Sequence, residues 1–182
     1  MKNPQVRMLT EGGIMIALSV ILSHITLYQM PQGGSVTLGG MLPLLLFALR
    51  WGTGPGILVG AIYGLLDFMI KPYFFSVPQV LLDYPISYGL LGLAGLGAAM
   101  YAKHQNLSYV LGFSFLGIFG RFLGAVASGY VFFAEYAPEG MNPLWYTITY
   151  NAGYILPDAI LAAFLLVLIF KPVMRTLPQP QA

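Results

Sequence analysis

No cysteine occurs in the 182 residues, so disulfide frameworks, CxxC redox pairs and thiolate metal sites are excluded and the redox compartment is left open. Charge is almost as scarce. Asp, Glu, Lys and Arg make up 8% of the chain, against roughly 25% in an average soluble domain. The net charge of +2 is small and the basic residues do not cluster, so no nucleic-acid partner is expected. The only histidines, His24 and His104, belong to no HExxH or Glu-x-x-His pattern, and neither a metal site, a cofactor nor a catalytic constellation is expected. A GxxxxGK[ST] loop is also missing, which excludes a self-sufficient ATP-driven pump.

What the chain has instead is apolar surface, with 58% hydrophobic residues. A helix needs about 20 apolar residues to cross roughly 30 Å of hydrocarbon. Six runs bounded by Gly, Pro or charge fit, at about 9–30, 38–51, 54–70, 80–101, 107–133 and 144–170, the second being short unless it borrows its flanks. The expected fold is an all-α integral membrane protein, a compact bundle of six transmembrane helices forming one domain over 1–182. Lys2 and Arg7 before the first run do not read as a signal peptide, because five further runs follow and no small-x-small cleavage site is evident. Arg50, Lys103, Lys171 and Arg175 fall on the same side as Lys2 and Arg7, and only Lys71 lies in an alternate loop. The positive-inside rule then places both termini in the cytoplasm of a multi-pass plasma-membrane protein whose immediate partner is the lipid bilayer.

Lipid supplies no hydrophobic drive between helices, so close packing needs small residues. Gly56, Gly60 and Gly64 form one such stripe, and Gly120, Gly124 and Ser128 another. Gly13 and Ala17 share the spacing on the first helix, where the stripe serves either internal packing or the docking of a partner membrane subunit.

The polar residues inside the runs carry the functional information, because an intramembrane charge is costly unless paired or used. They are Asp67, Asp83, Arg121, Asn151 and Asp158. Asp67 and Arg121 lie roughly 20 Å along helices that start inside, while Asp83, Tyr84, Tyr146 and Asn151 fall within roughly the first 10 Å of helices that start outside. All converge at one depth, in the outer leaflet. On the last helix Tyr146, Thr147, Tyr150, Asn151, Tyr154 and Asp158 share an arc of roughly 140°, too polar for lipid. Pro157 is expected to kink this helix, with Asp158 either in the pocket or capping freed backbone groups. Tyrosines with carboxylates suit a compact, ring-containing ligand, neutral or cationic. Two other readings stay open: Asp67 or Asp83 neutralises Arg121 as an internal ion pair, or the carboxylates couple a secondary transporter to protons.

The segments MPQGGSV (30–36), FALRWG (47–52), LLDY (81–84), GRFLG (120–124), VFFAEYAPEG (131–140) and YNAGYILP (150–157) resemble, in order and spacing, the thiamine-specific S components of energy-coupling-factor (ECF) transporters, the ThiT family. The resemblance implies a six-helix S component that binds thiamine and docks the stripe holding Gly13 and Ala17 onto a transmembrane coupling subunit joined to two ATPase subunits. It implies ligand contacts from Asp83 and Tyr84 in the fourth helix, Tyr146 and Asn151 in the sixth, and Arg121 in the fifth. Tyr63 and Phe133 stand for the family's aromatic pocket residues. Ala125 replaces the histidine that the family carries one turn after Arg121. Asp67 is added to the ligand set from its depth alone.

Overall fold

The computed structural model describes residues 3–176. Lys2, used above for orientation, lies outside them, as do the side chain of Arg175 and the ends of the 1–182 unit. Among the described residues six helices carry the fold: α1 Pro4–His24, α2 Leu42–Trp51, α3 Thr53–Ile70, α4 Val77–His104, α5 Leu107–Phe132 and α6 Pro143–Thr176. Five are long and apolar enough to cross a membrane; α2, with 10 residues, spans about 15 Å. Its flank at 38–41 is not helical, and every residue from Leu42 to Arg50 is buried, which makes α2 the centre of the bundle.

The described residues are predominantly helical, as expected, with one addition, a two-stranded antiparallel hairpin, β1 Thr26–Gln29 and β2 Ser35–Thr37. The first apolar run reaches Met30, but α1 stops at His24. Pro31 lacks the N–H a helix needs, and Gly33 adopts φ +99° in the turn, where the Met30 N–H donates to the Gly34 carbonyl at 2.6 Å. Helix starts follow local chemistry: Asn3, Ser76, Asn106 and Asn142 each accept a hydrogen bond from a first-turn N–H.

α1 turns small residues, Gly12, Ser19 and Ser23, inward and leaves Leu9, Ile14, Leu18 and Ile21 exposed, the reverse of a soluble helix. Gly13 and Ala17 lie on the exposed side, and a Cβ on Gly13 would meet nothing within 4 Å, so this stripe does not pack internally. At the same end Glu11 accepts hydrogen bonds from Arg7 Nε (2.9 Å), Arg50 Nε (2.6 Å) and Trp51 Nε1 (2.7 Å), joining α1 to α2.

α4 is gripped from both sides. Gly60 and Gly64 of α3 press on the carbonyls of Tyr88 and Tyr84, while Gly117, Gly120 and Gly124 of α5 press on Leu91, Leu90 and Ser87. The helix between them changes pitch, with a π turn at Leu82–Ile86 around Pro85 and a 3-10 turn at Leu91–Gly95. Gly→Ala inside a helix ordinarily raises stability by about 1 kcal/mol. Gly60→Ala should do the opposite and lower the melting temperature in detergent, because its Cβ would run into the Tyr88 backbone. An unchanged or raised melting temperature would show that α3 and α4 can separate freely.

Candidate functional site

A cavity of about 390 Å³ opens at the end of the bundle opposite Glu11, within the range typical of small-ligand sites. Its walls come from the C-terminal ends of α1, α3 and α5, the N-terminal parts of α4 and α6, and the hairpin. All eight residues expected to meet a ligand line it: Tyr63, Asp67, Asp83, Tyr84, Arg121, Phe133, Tyr146 and Asn151. Residues that depth along the helices and the family resemblance pointed to separately are thus brought to one space.

α4 contributes Asp83, Tyr84, Ser87 and Tyr88, which at i, i+1, i+4 and i+5 share one helical face and line the cavity wall, with the π turn at Leu82–Ile86 falling among them. Asp83 Oδ2 accepts from Gln79 Nε2 at 2.6 Å, and the Tyr84 hydroxyl donates to the Lys71 carbonyl at 3.3 Å. Tyr88 is the central residue that the sequence reading did not single out. Its hydroxyl donates to Asp67 Oδ2 at 3.1 Å and accepts from Arg121 Nη2 at 3.2 Å, and the guanidinium lies 4.5 Å from its ring centre. Tyr63 meets the same ring edge-on at 4.8 Å.

This relay replaces the internal ion pair: among the described residues neither Asp67 nor Asp83 bridges Arg121 directly. Arg121 is 9% exposed, and its Nη1 has no hydrogen-bond partner, a buried donor on the wall of the cavity. Asn151 is more constrained. Its Nδ2 donates to the carbonyls of Thr147 (2.9 Å) and Ala125 (3.5 Å), so only Oδ1, already accepting from Tyr154, retains capacity for a ligand.

Asp158 does not cap the α6 backbone near Pro157. It accepts from the Thr37 N–H at 2.7 Å and from the Thr37 hydroxyl, pinning β2 to α6. The Tyr150 hydroxyl accepts from the Gln32 N–H at 3.0 Å, and Gly34 lies so close to Tyr154 that a Cβ would stand 2.5 Å from its ring. The hairpin is therefore fixed across the cavity, adding Gln29, Gln32 and Gly33 to the lining. Lys71 reaches back to the Ser23 carbonyl at 3.0 Å, satisfying an end of α1. Aromatic rings complete the rim, with Tyr73, Phe133 and Tyr136 in sequence at 5.6 and 6.1 Å and Tyr146 beside Tyr150 at 5.9 Å.

The lining holds three carboxyl groups, Asp67, Asp83 and Asp158, against two basic groups, Lys71 and Arg121. Ringed by aromatic faces, such a space suits a flat heteroaromatic ligand that carries donors and a positive charge.

Comparison with known proteins gives a consistent result. A family model described as "Thiamine transporter protein (Thia_YuaJ)" matches residues 9–177. Thiamine transporter ThiT of Bacillus subtilis (strain 168) is 35% identical, over 100% of this chain and 99% of its own length. Thiamine transporter ThiT of Lacticaseibacillus paracasei is 28% identical, over 88% of this chain and 85% of its own. A solved structure of ThiT from Listeria monocytogenes superposes with a TM-score of 0.82 at 22% identity, covering 95% of this chain and 98% of that one, a likeness of fold.

Proposed function

Because this chain belongs to the thiamine transporter family, we propose that it is the thiamine-capturing S component of an ECF-type importer, binding the vitamin in the hairpin-covered cavity. The observation that carries the reading is the gathering of all eight expected contact residues around that one space. Asp83 accepts a hydrogen bond from the amino group of the pyrimidine. Tyr84, Tyr146, Phe133 and Tyr63 form the ring-binding walls, Arg121 donates to a ligand acceptor through Nη1, and Asn151 offers Oδ1. Asp67 supplies negative charge near the thiazolium. The lining's excess of carboxyl groups over basic ones supports a cationic ligand.

In this reading the chain is one transmembrane domain in the plasma membrane, with α2 and its flanks completing a sixth crossing, both termini cytoplasmic and the cavity facing outward. With no phosphate-binding loop of its own, it relies on a transmembrane coupling subunit and two ATPase subunits, which it meets through the exposed Gly13 and Ala17.

Reconstitution tests this division of labour. Liposomes holding only this chain should bind thiamine yet accumulate none, and adding the coupling subunit and ATPases with internal ATP should produce concentrative uptake. Gly13→Leu should reduce that uptake severalfold while leaving binding intact, since the position is remote from the cavity and open on its surface. Accumulation by the isolated chain in a proton gradient would instead support a proton-coupled secondary transporter.

A further inference from the structure

Gln79 lies one turn before Asp83, has no exposed surface and stands outside the cavity lining. A buried amide is costly unless its polar atoms are bonded, and here both ends are committed. Oε1 accepts from the Phe75 N–H at 3.0 Å; Nε2 donates to the Tyr73 carbonyl at 3.3 Å and to Asp83 Oδ2 at 2.6 Å. The backbone dictates which end is which. Turning the amide over would set its NH2 against the Phe75 N–H and its oxygen against the Tyr73 carbonyl, losing two bonds and creating two repulsions.

Gln79 therefore presents a donor to Asp83 in one orientation only. That donor engages Oδ2 from a fixed direction, and the acceptor capacity that remains on the carboxyl group serves a group entering the cavity. From this geometry we infer that Gln79 is a positioning residue: it holds Asp83 as an obligatory hydrogen-bond acceptor and so selects ligands that offer a donor. The same amide ties Asp83 to the loop carrying Lys71, Pro72 and Tyr73, which also line the cavity, so the loop's backbone and the acceptor keep one relative placement. The inference rests on the proposal that the cavity binds thiamine through Asp83.

The test titrates thiamine, and its analogue with a ring carbonyl in place of the amino group, into the purified chain and its variants. Gln79→Met keeps the volume and removes the donor. It should weaken thiamine binding by about 5- to 10-fold and narrow the preference for thiamine over the carbonyl analogue. In an Asp83→Ala background the same change should cost less than about 2-fold, because the group it positions is gone. Gln79→Glu keeps an acceptor for the Phe75 N–H but sets a carboxylate against Asp83, and should weaken thiamine at least as much.

Parental affinity and preference in a folded Gln79→Met protein would overturn the assignment, as would an equal loss with and without Asp83. Failure of both Gln79 variants to fold would make the side chain purely architectural and also overturn it. If the parent binds thiamine and Asp83→Ala weakens it while Gln79→Met does not, only this inference falls. A folded parent that does not bind thiamine removes the proposed ligand, and the inference with it.

Discussion

Asp83→Ala should weaken thiamine binding by about 10- to 150-fold, the loss expected when a charge-assisted hydrogen bond worth roughly 1.5–3 kcal/mol is removed. The structure sharpens the expectation for the conservative change. Gln79 directs a donor at Oδ2 from 2.6 Å, so an asparagine must turn its oxygen toward Gln79 and its NH2 toward the ligand. That NH2 would then face the amino group of the pyrimidine, donor against donor. Asp83→Asn should therefore bind about as poorly as Asp83→Ala. Both proteins should fold, because Asp83 forms no ion pair with Arg121 among the described residues. A folded Asp83→Ala protein with unchanged affinity would remove this residue from the site.

The second large effect is expected at Asp158, which lies behind the hairpin. Asp158 and Thr37 are 3% and 6% exposed, and the carboxylate takes both the N–H and the hydroxyl of Thr37. Asp158→Ala leaves that N–H buried without its acceptor, a cost of roughly 1.5–3 kcal/mol. At roughly 2–4 °C per kcal/mol for a chain of this size, the melting temperature should drop by about 3–12 °C. Thiamine should also dissociate faster, since β2 then keeps only its pairing with β1, and the hairpin's remaining hydrogen bonds to α6 are those of the turn residues Gln32 and Gly34 to Tyr150. Asp158→Asn keeps an acceptor without the charge and should fall between. Melting curves in detergent and a filter-binding release assay measure both quantities; a variant that melts like the parent would mean that the hairpin is held by other contacts.

Helices α3 to α5 were legible in the sequence to within three residues because Gly, Pro and charged residues bound each apolar run, and lipid requires a span to be helical; α6 was legible at its start but continues six residues past its expected end, through Lys171 and Pro172. The hairpin was not. No Gly, Pro or charged residue separates Thr26–Met30 from the first apolar run, and the partner that makes it a strand, Ser35–Thr37, is held by Asp158, 121 positions away from Thr37. Glu11 escaped notice for a similar reason, since Arg50 and Trp51 reach it across helices.

Within the cavity, depth arithmetic brought Asp67, Asp83, Arg121, Tyr146 and Asn151 to one level because straight helices rise evenly. It missed Tyr88, four residues after Tyr84 and so on the same face of α4, because a tyrosine within an apolar run does not stand out as a charged residue does. It also missed Gln79, whose effect passes through Asp83 and leaves no mark of its own in an apolar run.

The central claim, that this chain alone captures thiamine, is tested most directly by calorimetric titration of thiamine into the purified protein without any partner subunit. The account predicts saturable binding with one thiamine per chain, weakened by Asp83→Ala. A folded, monodisperse protein that gives no saturable heat with thiamine at millimolar concentration would contradict it.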